Sequence, residues 1–260
     1  MAVGPGRPRR RRRGHGPMVR GTVPATLRLL IVQAAWTYER LQGVGVGFAS
    51  LPLLEPLRAD PGRYRAAVGR STELFNAHPY LTGIAVGAAA RAEIDGVPGG
   101  TIQRLKTALA GPLGSLGDQL FWIGVVPAVM AAMLVALSLS AGLSAVGLGV
   151  ALYLLLRLYI TVWGLRLGLR SGLQIAGALK ASGLTDQVRR VGLAAGLLVG
   201  AAVVPVCRWL AGPGLTPGWW VGPTLGLAGG VLAALVRFRV PSARHLTLAA
   251  IVVVLFWQLR

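Results

Sequence analysis

Three short strings carry polar side chains where apolar or loop residues would serve a helical fold just as well. In Trp36-Thr37-Tyr38-Glu39-Arg40-Leu41-Gln42, a helical backbone puts Glu39 and Gln42 on one face, and Thr37 and Arg40 on another. A carboxylate beside a carboxamide can accept from and donate to vicinal hydroxyls. A surface ion pair between Glu39 and a nearby arginine also accounts for the carboxylate. In Phe75-Asn76-Ala77-His78-Pro79-Tyr80, Asn76 and His78 stand at a helix end ahead of a proline. Backbone groups are free there and side chains can point into a cavity. His78 is read either as a ligand contact or as a satisfied cap or core histidine. The third string is Gly111-Pro112-Leu113-Gly114-Ser115-Leu116-Gly117-Asp118-Gln119-Leu120-Phe121-Trp122. Its three glycines and proline argue against regular helix directly before an apolar segment. Irregular backbone at membrane depth is tolerated where it lines a cavity or is buried in protein, and an ionisable group there is a functional candidate. Asp118 also suits the N-cap of the helix that follows. No Gly-Lys-Ser/Thr follows the glycines, which removes a phosphate loop.

The elements that must position these strings divide the chain in two. Seven of the eight Asp and Glu residues lie between Glu39 and Asp118, so a charged front part ends near residue 118 and an apolar part follows. We expect a basic disordered tail over 1–20, an N-terminal helical region with a Gly-rich re-entrant segment over 21–118, and a transmembrane helical region over 119–260. Of the 260 residues, 54% are hydrophobic and 13% charged, against roughly a quarter charged in soluble domains. Mean hydropathy is +0.62. The 37 glycines suit helices packed closely in a bilayer. This excludes an ordinary soluble domain. The single cysteine, Cys207, lies in an apolar run and removes both an internal disulfide framework and a Cys-based zinc site.

The formal charge of +19 would raise nucleic-acid binding, but six arginines crowd into residues 7–13. They read as a solvated tail, which on a cytoplasmic face would also sit near anionic lipid. Met18 onward is a plausible N-terminus as well, and no small-residue cleavage site follows the partly apolar 24–35 segment.

Within the front part, periodicity predicts a helix over 25–57, interrupted by Gly43, Gly45 and Gly47 and broken at Pro52 and Pro56. A turn at Asp60-Pro61-Gly62, a helix over 63–75, a small-residue helix over 80–92, a loop over 94–100 and an amphipathic segment over 101–110 follow. The expected spans are 120–139, 143–163, 191–210 and 219–236, with a short, doubtful fifth at 246–259. Arg157 is expected to snorkel toward one membrane face. The basic stretches at 164–190 and 237–244, together with the N-terminus, then fall on the cytoplasmic side, with Trp219 and Trp220 in an interfacial belt. The fold class is all-α, a polytopic membrane protein with four to five transmembrane helices.

Taken in order, the three strings resemble subunit IID of the mannose/fructose/sorbose family of bacterial phosphotransferase sugar permeases. That family's pattern runs close to Trp-(Asn/Thr)-(Tyr/Phe)-Glu-Arg-(Met/Leu)-Gln, then Phe-Asn-x-(His/Gln)-Pro, then Gly-Pro-Leu-(Ala/Gly)-x-(Ile/Leu/Val)-Gly-Asp, then a Phe-Trp pair. The matching residues here are 36–42, 75–79, 111–118 and Phe121-Trp122, with a weaker continuation through Arg157, Tyr159, Gly164, Gly168 and Gly172. The chain departs from the pattern in having Gln119 after Gly117-Asp118, no arginine in Val125-Val126-Pro127, and Glu93 and Asp95 at altered spacing. The resemblance implies a non-catalytic membrane subunit that forms a hexose translocation pathway with subunit IIC. Phosphate then comes from cytoplasmic IIA/IIB components, and this chain needs no cofactor, metal or nucleic acid. The three histidines, His15, His78 and His245, offer no Ser-His-Asp order or metal-ligand spacing. The implied substrate-binding residues are Glu39, Gln42, Asn76, His78 and Asp118, with Gly111, Pro112, Gly114 and Gly117 shaping the backbone. A regulatory or scaffolding subunit without transport is the alternative.

Overall fold

The computed structural model describes residues 21–138 and 141–211, with side chains of the last helix described to residue 203. The tail, the expected spans at 219–236 and 246–259, Trp219 and Trp220, and the basic stretch at 237–244 lie outside the described residues. Within them the regular elements are all helical, in the order α1 (Thr22–Leu29), α2 (Gly43–Ser50), a 3-10 turn (Glu55–Ala59), α3 (Pro61–Ser71) and α4 (Thr82–Ile94). Then come α5 (Gly99–Asp118), a π-helical segment (Gln119–Val125), α6 (Val126–Ser138), α7 (Gly142–Ser171), a 3-10 turn (Gly172–Gln174), α8 (Ile175–Ala181) and α9 (Leu184–Ala211).

Several local expectations change. Residues Gly43, Gly45 and Gly47 do not break a helix; they form α2. A Cβ at Gly45 would lie 1.9 Å from the Val32 carbonyl oxygen, so small size for close packing is what they supply. Asp60-Pro61-Gly62 begins α3: the Asp60 carboxylate accepts from the Gly62 and Arg63 N–H groups at 3.1 and 3.0 Å, with Pro61 at the first helical position. The break expected at Gly111-Pro112 is also absent. Residues 111–118 complete α5, which runs on through the π-helical segment into α6 as a 40-residue helix. Proline ordinarily clashes with the Cβ of the residue before it, and Gly111 has none. The helix therefore forfeits one hydrogen bond without ending.

This long helix and the 40-residue helical run Gly142–Ala181 are each apolar enough to cross a membrane. At 1.5 Å per residue each could reach about 60 Å, twice a hydrocarbon core. The expected span 120–139 falls within the first as far as residue 138, the span 143–163 falls within the second, and 191–210 falls within α9. The basic 164–190 stretch is not one loop. Residues 164–171 continue α7, with Gly164, Leu165, Gly168 and Leu169 packed inward and Arg166 and Arg170 exposed, leaving only 172–183 to turn the chain.

The centre of the fold is α4, an Ala/Gly helix buried on nearly every side. It lies along α7, whose inward stripe is Thr161, Gly164, Leu165, Gly168 and Leu169, at helical spacing. Backbones touch here. A Cβ at Gly87 would sit 2.4 Å from the Leu165 carbonyl oxygen, and one at Gly168 would sit 2.3 Å from that of Ile84. This reciprocal pair of small-xxx-small stripes is how membrane helices associate when lipid offers no hydrophobic drive between them. The outward face of α7 instead exposes Leu143, Leu148, Leu152, Leu155 and Tyr159, a surface suited to lipid rather than water.

Beneath α4, Arg70 grips Glu93 with two bonds, Nε to Oε1 at 2.8 Å and Nη2 to Oε2 at 2.7 Å. The hydrogen bond to Glu93 holds the guanidinium above its ordinary pKa. Lys106, buried beside them, donates to the carbonyls of Arg70 and Ser71 and so closes the C-terminal end of α3.

Candidate functional site

The 36–42 string is a tight turn, not a helix. Thr37 and Leu41 exchange backbone hydrogen bonds of 3.2 and 2.7 Å, and Leu41 holds φ +51°, a left-handed conformation unusual for a non-glycine residue. That turn reverses the expected pairing of Glu39 with Gln42. Glu39 is exposed at the turn, while Gln42 is buried and its N–H donates to the Phe75 carbonyl at 2.9 Å. The Gln42 side chain donates from Nε2 to the Ala77 carbonyl at 2.6 Å and accepts at Oε1 from the Thr82 hydroxyl at 3.0 Å. Gln42 thus fastens the turn to the 75–82 segment.

Facing that segment is one side of the long helix, and between them opens a cleft of about 620 Å³. Its lining is Gln33, Gln42, Asn76, Ala77, His78 and Pro79 on one side, and Ala110, Gly111, Gly114, Ser115, Asp118, Gln119 and Trp122 on the other. Of the residues singled out from sequence, Gln42, Asn76, His78, Asp118, Gly111 and Gly114 meet here, whereas Glu39 and Pro112 are not among the lining residues. Gly117 stands behind the cleft wall, where a Cβ would fall 2.1 Å from the Cβ of His78. Its role is to seat the imidazole against the helix. Asp118 caps nothing, because the helix runs straight through it. Asn76, Asp118, Ser115, Gln119 and Gln33 are exposed, with Gln119 Nε2 donating to Ser115 Oγ at 3.0 Å.

Gln33, Ser115, Gln119 and Trp122 were missed as site residues. The last three follow from helical spacing once 111–122 is read as helix, since Gly111, Ser115, Asp118 and Trp122 recur at three- and four-residue intervals.

His78 is 2% exposed. Its ring stacks on Phe121 with centroids 5.0 Å apart and a 12° interplanar angle, and it meets Tyr80 edge-on at 4.8 Å. The π-helical segment is what presents Phe121 inward and leaves Trp122 half-exposed at the cleft. Tyr80 continues the cluster, its hydroxyl 2.7 Å from that of Tyr153 and its ring 4.9 Å under the Arg157 guanidinium. Arg157 does not snorkel outward. It turns inward and donates from Nη2 to the Leu30 carbonyl at the end of α1, satisfying a helix terminus.

Nδ1 of His78 accepts from the Tyr80 N–H at 3.3 Å. A neutral ring therefore carries its proton on Nε2, and that buried N–H has no partner among the described residues. Burial holds the pKa down to about 4 from 6.5, with Asp118 pulling weakly the other way. As pH falls through 6.5 the unfolded chain takes up the proton first, so stability is complete above 6.5 and is lost between 6.5 and about 4. The span corresponds to roughly 3 kcal/mol. The expected result is a melting temperature of the detergent-solubilised protein that drops across that window. A His78→Phe variant, which keeps the ring stack, should show a shallower drop; equal slopes would contradict the assignment.

Among the described residues no cluster of three His, Cys, Asp or Glu could hold a metal. What the cleft offers is carboxamides, a hydroxyl, one carboxylate and a half-exposed indole. Planar polar groups beside an aromatic face suit a polyhydroxylated ligand.

Fold and cleft together define an all-α membrane protein with a polar cleft against one of its long apolar helices. Residues 21–207 match the model of the PTS system mannose/fructose/sorbose family IID component, and the chain belongs to that family. Similar proteins include the fructose permease IID component of Bacillus subtilis, 32% identical over 103 residues (38% of this chain, 37% of the relative). The mannose-specific EIID component of Escherichia coli K12 is 35% identical over 115 residues (41% and 39%). The sorbose-specific EIID component of Klebsiella pneumoniae is 37% identical over 114 residues (41% and 40%). The matched segments thus span about two fifths of these relatives. In fold, the chain is similar to a chain of the cryo-EM complex of the mannose transporter ManYZ with microcin E492. The TM-score is 0.54 at 24% identity, over 84% of this chain and 85% of that one. A second solved membrane protein gives a TM-score of 0.62 at 22% identity, over 82% and 96%.

Proposed function

We propose that this chain is a non-catalytic subunit of a phosphotransferase permease in the bacterial cell membrane, with its N-terminus cytoplasmic. It forms the hexose translocation pathway with a IIC subunit and works with cytoplasmic IIA/IIB phosphocarriers. The observation that carries this reading is the cleft, which gathers Gln42, Asn76, His78 and Asp118 from three separate strings onto one wall-to-wall site. Relatives named for fructose, mannose and sorbose support a hexose as the ligand class. In this site Asn76 and Asp118 bind sugar hydroxyls directly, while the buried His78 ring backs the cleft wall. Gln42 acts one step back, holding Asn76 and His78 in place, and Glu39 takes no part in the cleft.

Each neutral hydrogen bond contributes about 1 kcal/mol and a charged one about 2. Hexose uptake into cells expressing the assembled complex should therefore fall at least about fivefold in Asn76→Ala and about thirtyfold in Asp118→Asn, with assembly intact on gel filtration. Wild-type uptake in both variants would refute the site. An assembled wild-type complex that transports none of the three hexoses would instead favour the scaffolding role.

A further inference from the structure

We propose that the cleft selects by charge, admitting a neutral hexose and rejecting the same hexose once it carries a phosphate monoester, with Asp118 as the excluding group. This rests on the hexose-site reading above and states which form of the sugar the site takes. Among the described lining residues Asp118 bears the only ionic charge, and no lysine or arginine lines the cleft. The exposed polar groups are otherwise uncharged, namely the amides of Gln33, Asn76 and Gln119 and the Ser115 hydroxyl, and behind them lies the buried His78 ring. That ring stays neutral at physiological pH, because burial holds its pKa near 4.

The usual phosphate-binding devices are absent or occupied. Arg157, the cation over the Tyr80 ring, is committed to the Leu30 carbonyl and does not line the cleft. The N-terminus of α4 follows His78 closely and would be the natural anion site. Its leading N–H groups, those of Leu81 and Thr82, both donate to the His78 carbonyl at 3.0 Å. A phosphate monoester, at −1.5 to −2 charge near pH 7, would thus meet a carboxylate and no counter-charge. Like charges a few ångström apart in a water-open cleft repel by enough to weaken binding roughly tenfold. A neutral sugar incurs no such penalty and finds donors and acceptors in both directions. A hexose that has been phosphorylated consequently loses its hold on this chain, which clears the cleft.

The test uses the complex of this chain with its co-expressed IIC subunit, reconstituted in phosphatidylcholine vesicles. Equilibrium binding is measured for D-mannose, D-fructose and L-sorbose, and each hexose that binds is compared with its phosphate ester. The wild type should bind the ester at least about tenfold more weakly than the parent sugar. Asp118→Asn, whatever it does to overall affinity, should narrow that ratio at least about threefold, and Gln119→Glu, adding a second carboxylate to the wall, should widen it. The ratio is independent of how much protein folds, so a destabilised variant still reports. Equal affinity for sugar and ester in the wild type, or an unchanged ratio in both variants, overturns the charge filter while leaving the hexose site standing. Failure of all three hexoses to bind overturns both.

Discussion

Gly168→Leu is expected to abolish the folded protein, leaving no monodisperse peak when the detergent-extracted chain is run on gel filtration. At Gly168 a Cβ alone would lie 2.3 Å from the Ile84 carbonyl oxygen and 2.7 Å from the Ala88 N–H nitrogen. Both are backbone atoms of a buried helix, so no rotamer change relieves the overlap and α4 must separate from α7. Overpacking an adaptable core costs about 1–3 kcal/mol, and a rigid backbone contact exceeds that. With a total stability of about 5–15 kcal/mol, and with Ile84, Leu165 and Leu169 all losing their burial when the helices part, the fold should not survive. Gly177→Leu is the control. Nothing lies within 4 Å of its Cβ position, and it should extract and elute like the wild type. A folded Gly168→Leu protein would mean that α4 and α7 do not meet as described.

The second large effect is local and pits two known terms against each other. Ala is favoured over Gly in a helix by about 1 kcal/mol, so Gly117→Ala ought to stabilise α5 if propensity decided. The added methyl, however, would fall 2.1 Å from Cβ and 2.4 Å from Cγ of His78, a ring locked between Phe121 and Tyr80. We expect sterics to win, with a net loss of about 2 kcal/mol, His78 displaced from its stack, and hexose binding lost. Gly196→Ala, in α9 with open space around it, should instead gain up to about 1 kcal/mol. Thermal unfolding of the two variants side by side checks the comparison; a Gly117→Ala protein more stable than wild type and still binding hexose would contradict it.

Gly117 also shows why the site was more legible than the backbone that makes it. Chemistry-bearing residue types in Asn76, His78 and Asp118 mark the cleft from sequence alone, because polar groups beside an apolar helix need a reason to be there. The glycines and proline of 111–118 count against a helix, because propensity measured in water disfavours both residue types there. Within the helix, Gly117 is required by its neighbour, since His78 fills the space its side chain would take, whereas Gly111 only spares Pro112 a preceding Cβ. Spacing was likewise ambiguous at 36–42. An interval of three serves a helix face or a tight turn, and nothing in the residue type of Leu41 announces a positive φ. Arg157 was legible as an arginine near a span end, but its inward turn depends on the Leu30 carbonyl, 127 residues earlier, which only the assembled fold supplies. The helix order and the front-to-back change in charge were readable because they rest on local pattern.

A hexose is expected to occupy the space between the 75–79 segment and the Gly111 to Trp122 face. The most direct measurement is a cryo-EM map of the complex with its IIC subunit at saturating hexose. Ligand density is expected within hydrogen-bonding reach of Asn76 and Asp118 and against the Trp122 indole. Hexose density elsewhere, with side chains of the IIC subunit filling this cleft, would contradict it.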